Sequence, residues 1–228
     1  MLLHIPNVLT PQQVQRCCAL LNAAEWIDGR ATAGYQGASV KNNAQLAEDS
    51  ALAQQLGNLI LVQLERNPLF ISATLPARVY PPMFNRYVEG ANFGSHVDNA
   101  VRLLPGSGVK LRTDISATLF LSESDSYDGG ELLIEDTYGT QSVKLSAGHM
   151  VIYPSTSLHR VEPVGRGVRI AAFFWVQSMV RAAAQRALLF DMDTAIQRLR
   201  QTGGDEPAVT QLTGNYHNLL RMWAETSD

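Results

Sequence analysis

Cysteine is almost missing from this chain: its 228 residues hold two, Cys17 and Cys18. They are adjacent, and neighbours on a helix point in different directions, so no mutual disulfide is expected. They read as small helix residues of a protein kept in a reducing compartment, the cytoplasm. Long apolar runs are missing as well. None approaches the roughly 20 residues of a spanning helix. The start, Met1-Leu2-Leu3-His4-Ile5-Pro6-Asn7, has neither the basic segment nor the apolar stretch of a signal peptide. Aromatic residues are scarce at 7%, and the net charge is only −3. With no basic field and few rings for base stacking, neither nucleic acid nor a membrane surface is an expected partner. The chain does have 46% apolar residues. That is enough core for one domain with extensions, or at most two small domains.

Thr10-Pro11 has the form of an N-cap followed by proline in the first helical position. Val14, Cys17, Cys18 and Leu21 then repeat with helical spacing, predicting a helix that ends near Ala24. Residues 27–43 are rich in Gly, Ala, Asn and Ser and read as strands and loops. A second helix is expected from Asp49 to Glu65, with Leu52, Leu56, Leu59, Ile60 and Leu64 on its apolar stripe and Asn67-Pro68 ending it. From Ala77 onward, short apolar runs alternate with Gly- and Asp-rich turns. They are 82–88, 115–121, 131–135, 140–145, 149–153 and 168–176, a pattern that fits an antiparallel barrel or jelly roll. After Gln177 the helical period returns, with one helix through Met179, Ala182, Ala183, Arg186, Ala187 and Phe190 and another over 192–200. Gly203-Gly204 breaks the run before a last helix from Pro207 to Trp223.

The chemistry concentrates in Phe93-Gly94-Ser95-His96-Val97-Asp98. Residues two apart on an extended strand share a face, so His96 and Asp98 can aim at one point. A further imidazole, His159, follows the strand Val151-Ile152-Tyr153-Pro154 and a polar turn. Two imidazoles and one carboxylate form the set that binds non-heme Fe(II) with coordination positions left open. H-x-D alone is weak, since such a pair also arises as two locally hydrogen-bonded side chains. Closure of a barrel would bring His159 beside the His96 strand. Arg169 interrupts an apolar strand, and if it faces inward it needs a partner, for which a carboxylate matches its rigid fork. The other reading is an Arg169 that faces solvent or pairs with a structural acid. Asp128-Gly129-Gly130-Glu131-Leu132 reads as a tight turn feeding a strand.

Taken in order, these pieces resemble the iron(II)- and 2-oxoglutarate-dependent dioxygenases, and most closely the PKHD-type hydroxylases, relatives of the prolyl hydroxylases. The resemblance rests on Asn85-Arg86-Tyr87, His96-Val97-Asp98 through Arg102, Thr118-Leu119-Phe120-Leu121-Ser122, Tyr127 through Leu132, Tyr153-Pro154-Ser155 through His159, Gly167-Val168-Arg169 and Phe173-Phe174-Trp175. Flanking pieces, Ala33-Gly34, Val40-Lys41-Asn42-Asn43 and Tyr216 through Trp223, extend it. It implies an α+β fold with a double-stranded β-helix (jelly roll) core and flanking N- and C-terminal helices. The core spans 78–178, with an N-terminal extension over 1–77 packed on it and a C-terminal helical extension over 179–228. It implies His96, Asp98 and His159 as iron ligands, Arg169 as partner of the far carboxylate of 2-oxoglutarate, and Tyr87 as a residue that helps bind that cosubstrate. For Tyr87, a core aromatic with its hydroxyl satisfied locally is the other reading.

The activity so implied is hydroxylation of a substrate C–H, with release of succinate and carbon dioxide. The cofactors are Fe(II), 2-oxoglutarate and L-ascorbate, and dioxygen is the other reactant. A carboxylate at Asp98 favours hydroxylation over halogenation, where a small residue stands in its place. The competing classes are a cupin-like metal-binding protein, against which Arg169 argues, and a non-catalytic iron or 2-oxoglutarate sensor, which turnover would separate. Small molecules and peptides are both open as substrates. Lys41, Asn42, Asn43 and Arg102 are expected at the substrate rim. His4, His149 and His217 lack a partner at metal spacing. The apolar stripe of Leu212, Tyr216, Leu219, Leu220 and Trp223 is expected either to cover the barrel or to meet a second copy in a homodimer.

Overall fold

A computed structural model describes residues 1–32, 35–137 and 139–226, apart from the side chains of 31, 32 and 35–37. Ala33 and Gly34, part of the N-terminal resemblance, lie outside the described residues. Two antiparallel sheets form the core. The larger has eight strands, in the order Leu3–Ile5, Met150–Pro154, Ile115–Phe120, Arg169–Ser178, Met83–Tyr87, Ala44–Gln45 and Ile27–Asp28, with Pro76–Val79 also paired to Arg169–Ser178. The smaller has five, in the order Gly139–Val143, Leu132–Asp136, His159–Val161, Asn92–His96 and Lys41–Asn42. One buried cluster draws Tyr87, Phe120, Val151 and Tyr153 from the larger sheet and Leu132, Ile134, Val143 and Val161 from the smaller, so the two face each other as a double-stranded β-helix.

Alternation along Ile115–Phe120 shows how the sequence builds this. Every residue of the strand is buried. Ala117 and Leu119 join the core that lies under the helices, while Phe120 joins the cluster between the sheets. Ser116 and Thr118 lie on the Phe120 side and line a cavity. The helices Pro11–Asn22, Ala51–Glu65 and Pro68–Thr74 cover the outer face through Val14, Leu21, Leu56, Ile60, Leu64 and Phe70. Their starts are capped as their sequences dictate. Thr10 and Gln13 form a capping box, and Ser50 and Asn67 accept from Ala53 N and Phe70 N.

Several expectations need correction. Asn67-Pro68 does end the helix before it, but it also opens the next, because Asn67 caps and Pro68 occupies the first turn. Within 27–43 the backbone forms a 3-10 turn, Gly29–Thr32, and a short helix, Tyr35–Val40. The expected helices around Phe190 and over 192–200 are one continuous helix, Ala183–Gln201. Nothing in Asp191-Met192-Asp193 breaks it, and Asp193 is used to accept a hydrogen bond from Ser72. A hairpin, Val101–Leu103 with Lys110–Arg112, adds two strands that periodicity did not signal. The N-terminal extension also does more than pack on the core, since Lys41–Asn42 and Ala44–Gln45 join one sheet each.

The last helix, Glu206–Trp223, turns its stripe onto its own chain. Tyr216, Leu219, Leu220 and Trp223 pack on buried Leu75, Val180 and Leu189. Arg112 ties this end down by pairing with Asp114 and Glu225. The stripe therefore carries no argument for a second copy. Leu189→Ala should cost about 2–5 kcal/mol, the usual range for a cavity left by a buried leucine. Urea unfolding measures that loss, and divalent-metal binding by the folded variant should stay as in the parent.

Candidate active site

His96 ends the strand Asn92–His96, and His159 begins the strand His159–Val161. The two residues are direct cross-strand partners, with ring centroids 4.2 Å apart. Each ring is oriented in the same way. Nδ1 of His96 lies 2.8 Å from the Gly94 carbonyl, and Nδ1 of His159 lies 3.0 Å from the Ser157 carbonyl. A carbonyl only accepts, so both Nδ1 atoms carry the proton and both Nε2 atoms keep a lone pair for another ligand. Burial, aided by His159, pushes His96 down to about 4, which favours its neutral, coordinating form. Asp98 lies just past the strand end, yet keeps the His96 side while Val97 turns outward. Its Oδ2 sits 3.8 Å from His159 Nε2. Ligand atoms of His96, Asp98 and His159 all lie within 4.8 Å of one another, and this is the one metal-capable group among the described residues.

Asp98 is held from below. Ser116 Oγ lies 2.5 Å from Asp98 Oδ2 and 2.8 Å from Ser155 Oγ. Ser116 has one proton, which the carboxylate takes, so Ser155 donates to Ser116 in turn. Tyr153 packs edge-on to His159 at 5.1 Å and is buried, which pushes its phenol well above the usual range. Tyr153 and Ser155 entered the sequence reading only within the resemblance, without a role, and Ser116 was not expected. The signal available for Ser116 was a polar residue at alternate positions of a strand that is otherwise apolar.

Arg169 is 1% exposed and faces the same cavity. Its guanidinium lies 5.2 Å from the rings of both Tyr87 and Phe120. Nε and Nη1 are buried without a hydrogen-bond partner, and among the described residues no carboxylate reaches ion-pair distance. The solvent-facing and structural-acid alternatives are therefore not what the structure shows. Gly130 explains the Asp128-Gly129-Gly130 turn. Its φ is +68°, and a Cβ there would stand 3.1 Å from both Arg169 Cδ and Tyr127 Cε2. Tyr87 is fully buried beside the guanidinium, its hydroxyl 3.5 Å from Asn85 Nδ2.

Lys41 and Arg102 also line the cavity, whereas Asn42 and Asn43 do not. Asn42 is exposed and donates to the Gly90 carbonyl. The Asn43 carbonyl accepts from the Gly29 amide. Lys41 Nζ donates to Gln45 Oε1 at 2.8 Å and lies over the Phe93 and Phe173 rings. Burial, with Arg102 nearby, lowers it to about 8. His4 and His149 do have a partner, each other: His4 Nε2 is 2.9 Å from His149 Nδ1, away from the cavity.

This jelly roll and its cavity define an oxygenase scaffold, and comparison with known proteins agrees. Residues 82–177 match the 2OG-Fe(II) oxygenase superfamily, and residues 184–225 match the PKHD-type hydroxylase C-terminal domain. A PKHD-type hydroxylase of Burkholderia ambifaria is 67% identical over 228 residues, covering 99% of this chain and all of that one. Among solved structures, a Pseudomonas putida prolyl-4-hydroxylase superposes with a TM-score of 0.52 at 20% identity, covering 78% of this chain and 92% of that one. HygX from Streptomyces hygroscopicus, solved with nickel, 2-oxoglutarate and hygromycin B, gives 0.54 at 13% identity, covering 78% and 82%. The chain belongs to the PKHD-type hydroxylases of the 2OG-Fe(II) oxygenase superfamily. It is thus an oxidoreductase whose family chemistry uses Fe(II) and 2-oxoglutarate.

Ser116→Ala takes the supporting donor from Asp98 without touching an imidazole. Divalent-metal affinity should fall about 10- to 100-fold, as for other outer-shell partners of a ligand. Metal titration measures the loss, and unfolding midpoints should show the fold intact.

Proposed function

We propose that this chain hydroxylates a C–H bond of its substrate with release of succinate and carbon dioxide. In this reading His96, Asp98 and His159 hold Fe(II), and Arg169 holds the far carboxylate of 2-oxoglutarate. The observation that carries it is Arg169. A buried guanidinium with two partnerless nitrogens is costly unless an anion completes it, and it opens into the cavity that holds the His-Asp-His set. A cupin-like metal protein has no need of that cation. The donor set fits the metal, with two imidazoles oriented by backbone carbonyls and one carboxylate kept in place by Ser116.

Bound Fe(II) and 2-oxoglutarate supply the oxidising chemistry. The protein supplies position and shelter. The Gly94 and Ser157 carbonyls aim the two Nε2 atoms inward, and Ser116 fixes the carboxylate oxygen beside them. Arg169 offers a rigid fork, held in place by Tyr87, Phe120 and Gly130. Tyr87 supports the cosubstrate from beside that fork. Walls such as Phe93, Phe173 and Trp175 keep water from the reacting centre. In this reading 78–178 is the catalytic unit, 1–77 completes its sheets, and 179–228 braces it.

His96→Ala and His159→Ala should each weaken Fe(II) binding by more than about 100-fold, beyond what loss of an outer partner causes. Full Fe(II) affinity in either variant would refute the ligand assignment. Arg169→Lys keeps the charge but loses the fork, so the 2-oxoglutarate needed for half-maximal binding should rise about 10- to 100-fold with iron retained. An unchanged requirement would remove Arg169 from this role. Succinate formed together with a product heavier by one oxygen atom separates an enzyme from a sensor.

A further inference from the structure

Arg169 shares the cavity with another buried residue whose polar atoms are not all used, and there the deficit has the opposite sense. Asn85 is 8% exposed and lines the cavity from the strand Met83–Tyr87, on the same face as Tyr87. Its Nδ2 donates to the Tyr87 hydroxyl at 3.5 Å. Its Oδ1 is buried and accepts from nothing. Arg169 lacks an acceptor and Asn85 lacks a donor, so a single anion cannot satisfy both.

The neighbouring strand Arg169–Ser178 gives the depth of this atom. Residues 169, 171, 173 and 175 share one face of it. Tyr87 pairs with Arg169 and Asn85 with Ala171, so Asn85 stands one row, about 7 Å, further along. Phe173 and Trp175 line the cavity beyond, where Arg102 stacks on Trp175 with its guanidinium carbon 4.2 Å from the ring centre. Asn85 thus lies between the seat of Arg169 and the aromatic wall. On its other side is Gln45, which accepts from Lys41, and neither of them bonds to Asn85 Oδ1.

The orientation of the amide follows from the proposed function. The carboxylates of 2-oxoglutarate only accept hydrogen bonds. A Tyr87 that supports the cosubstrate gives it the one phenol proton. The Tyr87 oxygen is then left to accept, and the Asn85 group facing it has to be the N–H. With Nδ2 so committed, Oδ1 is the group left over in the cavity wall. The metal has its own protein donors, and 2-oxoglutarate has no proton to give. Water can fill the place in an empty cavity, but a substrate that displaces it has to replace its hydrogen bond or lose affinity.

We propose that Asn85 is a specificity residue of this enzyme and that its substrate, seated in the cavity, presents an N–H or O–H donor to Asn85 Oδ1. A site built to receive a donor rejects an analogue without one strongly, because its own buried acceptor is then left unpaired. Hydrocarbon chains, and molecules whose polar groups only accept, are therefore poor substrates. The inference rests on the proposed function for the orientation of the amide, and its test separates the two.

The protein is loaded with Ni(II) and saturating 2-oxoglutarate, and binding of each is measured first by calorimetry. Three probes of similar size are then titrated: benzyl alcohol, benzamide and benzyl methyl ether, of which the ether alone has no donor. Broadening of the probe's proton signals by Ni(II) reports only probe bound near the metal. One or both donors should bind about tenfold or more tightly than the ether, and the tighter of them tells hydroxyl from amide. That preference should vanish in Asn85→Leu, with Ni(II) affinity kept and 2-oxoglutarate affinity within about threefold of the parent, since only a long bond to Tyr87 is lost. Asn85→Val, a good strand residue, serves as a second variant should leucine not fold. Failure of the parent protein to take up Ni(II) and 2-oxoglutarate would overturn the proposed function. Normal loading with equal or absent binding of donors and ether would overturn the role of Asn85. So would a preference that survives in a folded variant. A loss of 2-oxoglutarate affinity of about tenfold or more in both variants would assign Asn85 to the cosubstrate instead. The comparison of donors with ether in the parent protein does not depend on either variant folding.

Discussion

The active site depends on one constraint, that the central strands of the larger sheet are buried on both faces. Ile115–Phe120 has no exposed residue, and Arg169–Ser178 is nearly as enclosed. One face has to be oil, because three helices lie on it. The other cannot be only oil, because it walls a cavity with charges in it. Strict two-residue alternation lets one backbone satisfy both demands. Ala117, Leu119, Ala172 and Phe174 pack under the helices, while Ser116, Thr118, Arg169 and Trp175 line the cavity.

Polar groups inside such a wall survive because most are paired in chains. Ser155 supports Ser116, Ser116 supports Asp98, and backbone carbonyls hold the two histidines. These arrangements leave one set of atoms pointing at a shared space. Arg169 is the largest exception, with two buried nitrogens left over. Its stacking on Tyr87 and Phe120 holds its plane but does not satisfy its donors. Under the proposed function, this exception is where the far carboxylate of 2-oxoglutarate is received.

Local chemistry was legible in the sequence where it is local in the structure. Thr10-Pro11 marked a helix start because a cap acts over three residues. The apolar run 168–176 marked a strand, and the later break at Gly203-Gly204 separated two helices. Asn67-Pro68 misled because a stop for one helix and a start for the next are written with the same residues. The hairpin carrying Arg102 was invisible, since its strands are three residues long and are set by the burial of Leu111. Likewise, the residue types of the metal-capable group could be read, but the pairing of His96 with His159 could not. Register between strands so far apart in the chain is a tertiary fact. The roles of Ser116 and Ser155 escaped notice for the same reason, as each matters only through what stands opposite.

The strand Arg169–Ser178 acts as a ruler, and a ruler of this kind cannot be lengthened by one mark. Inserting a single residue after Ala171 would leave Arg169 in place while reversing every side chain beyond the insertion. Trp175 would turn into the helices and Phe174 into the cavity, so the seat of Arg102 would be lost along with the packing of the outer core. An added residue is therefore tolerated in the loops between strands and not within this strand. The hairpin tip around Gly106 to Gly108 has open space about it, so a change of length there leaves the fold undisturbed.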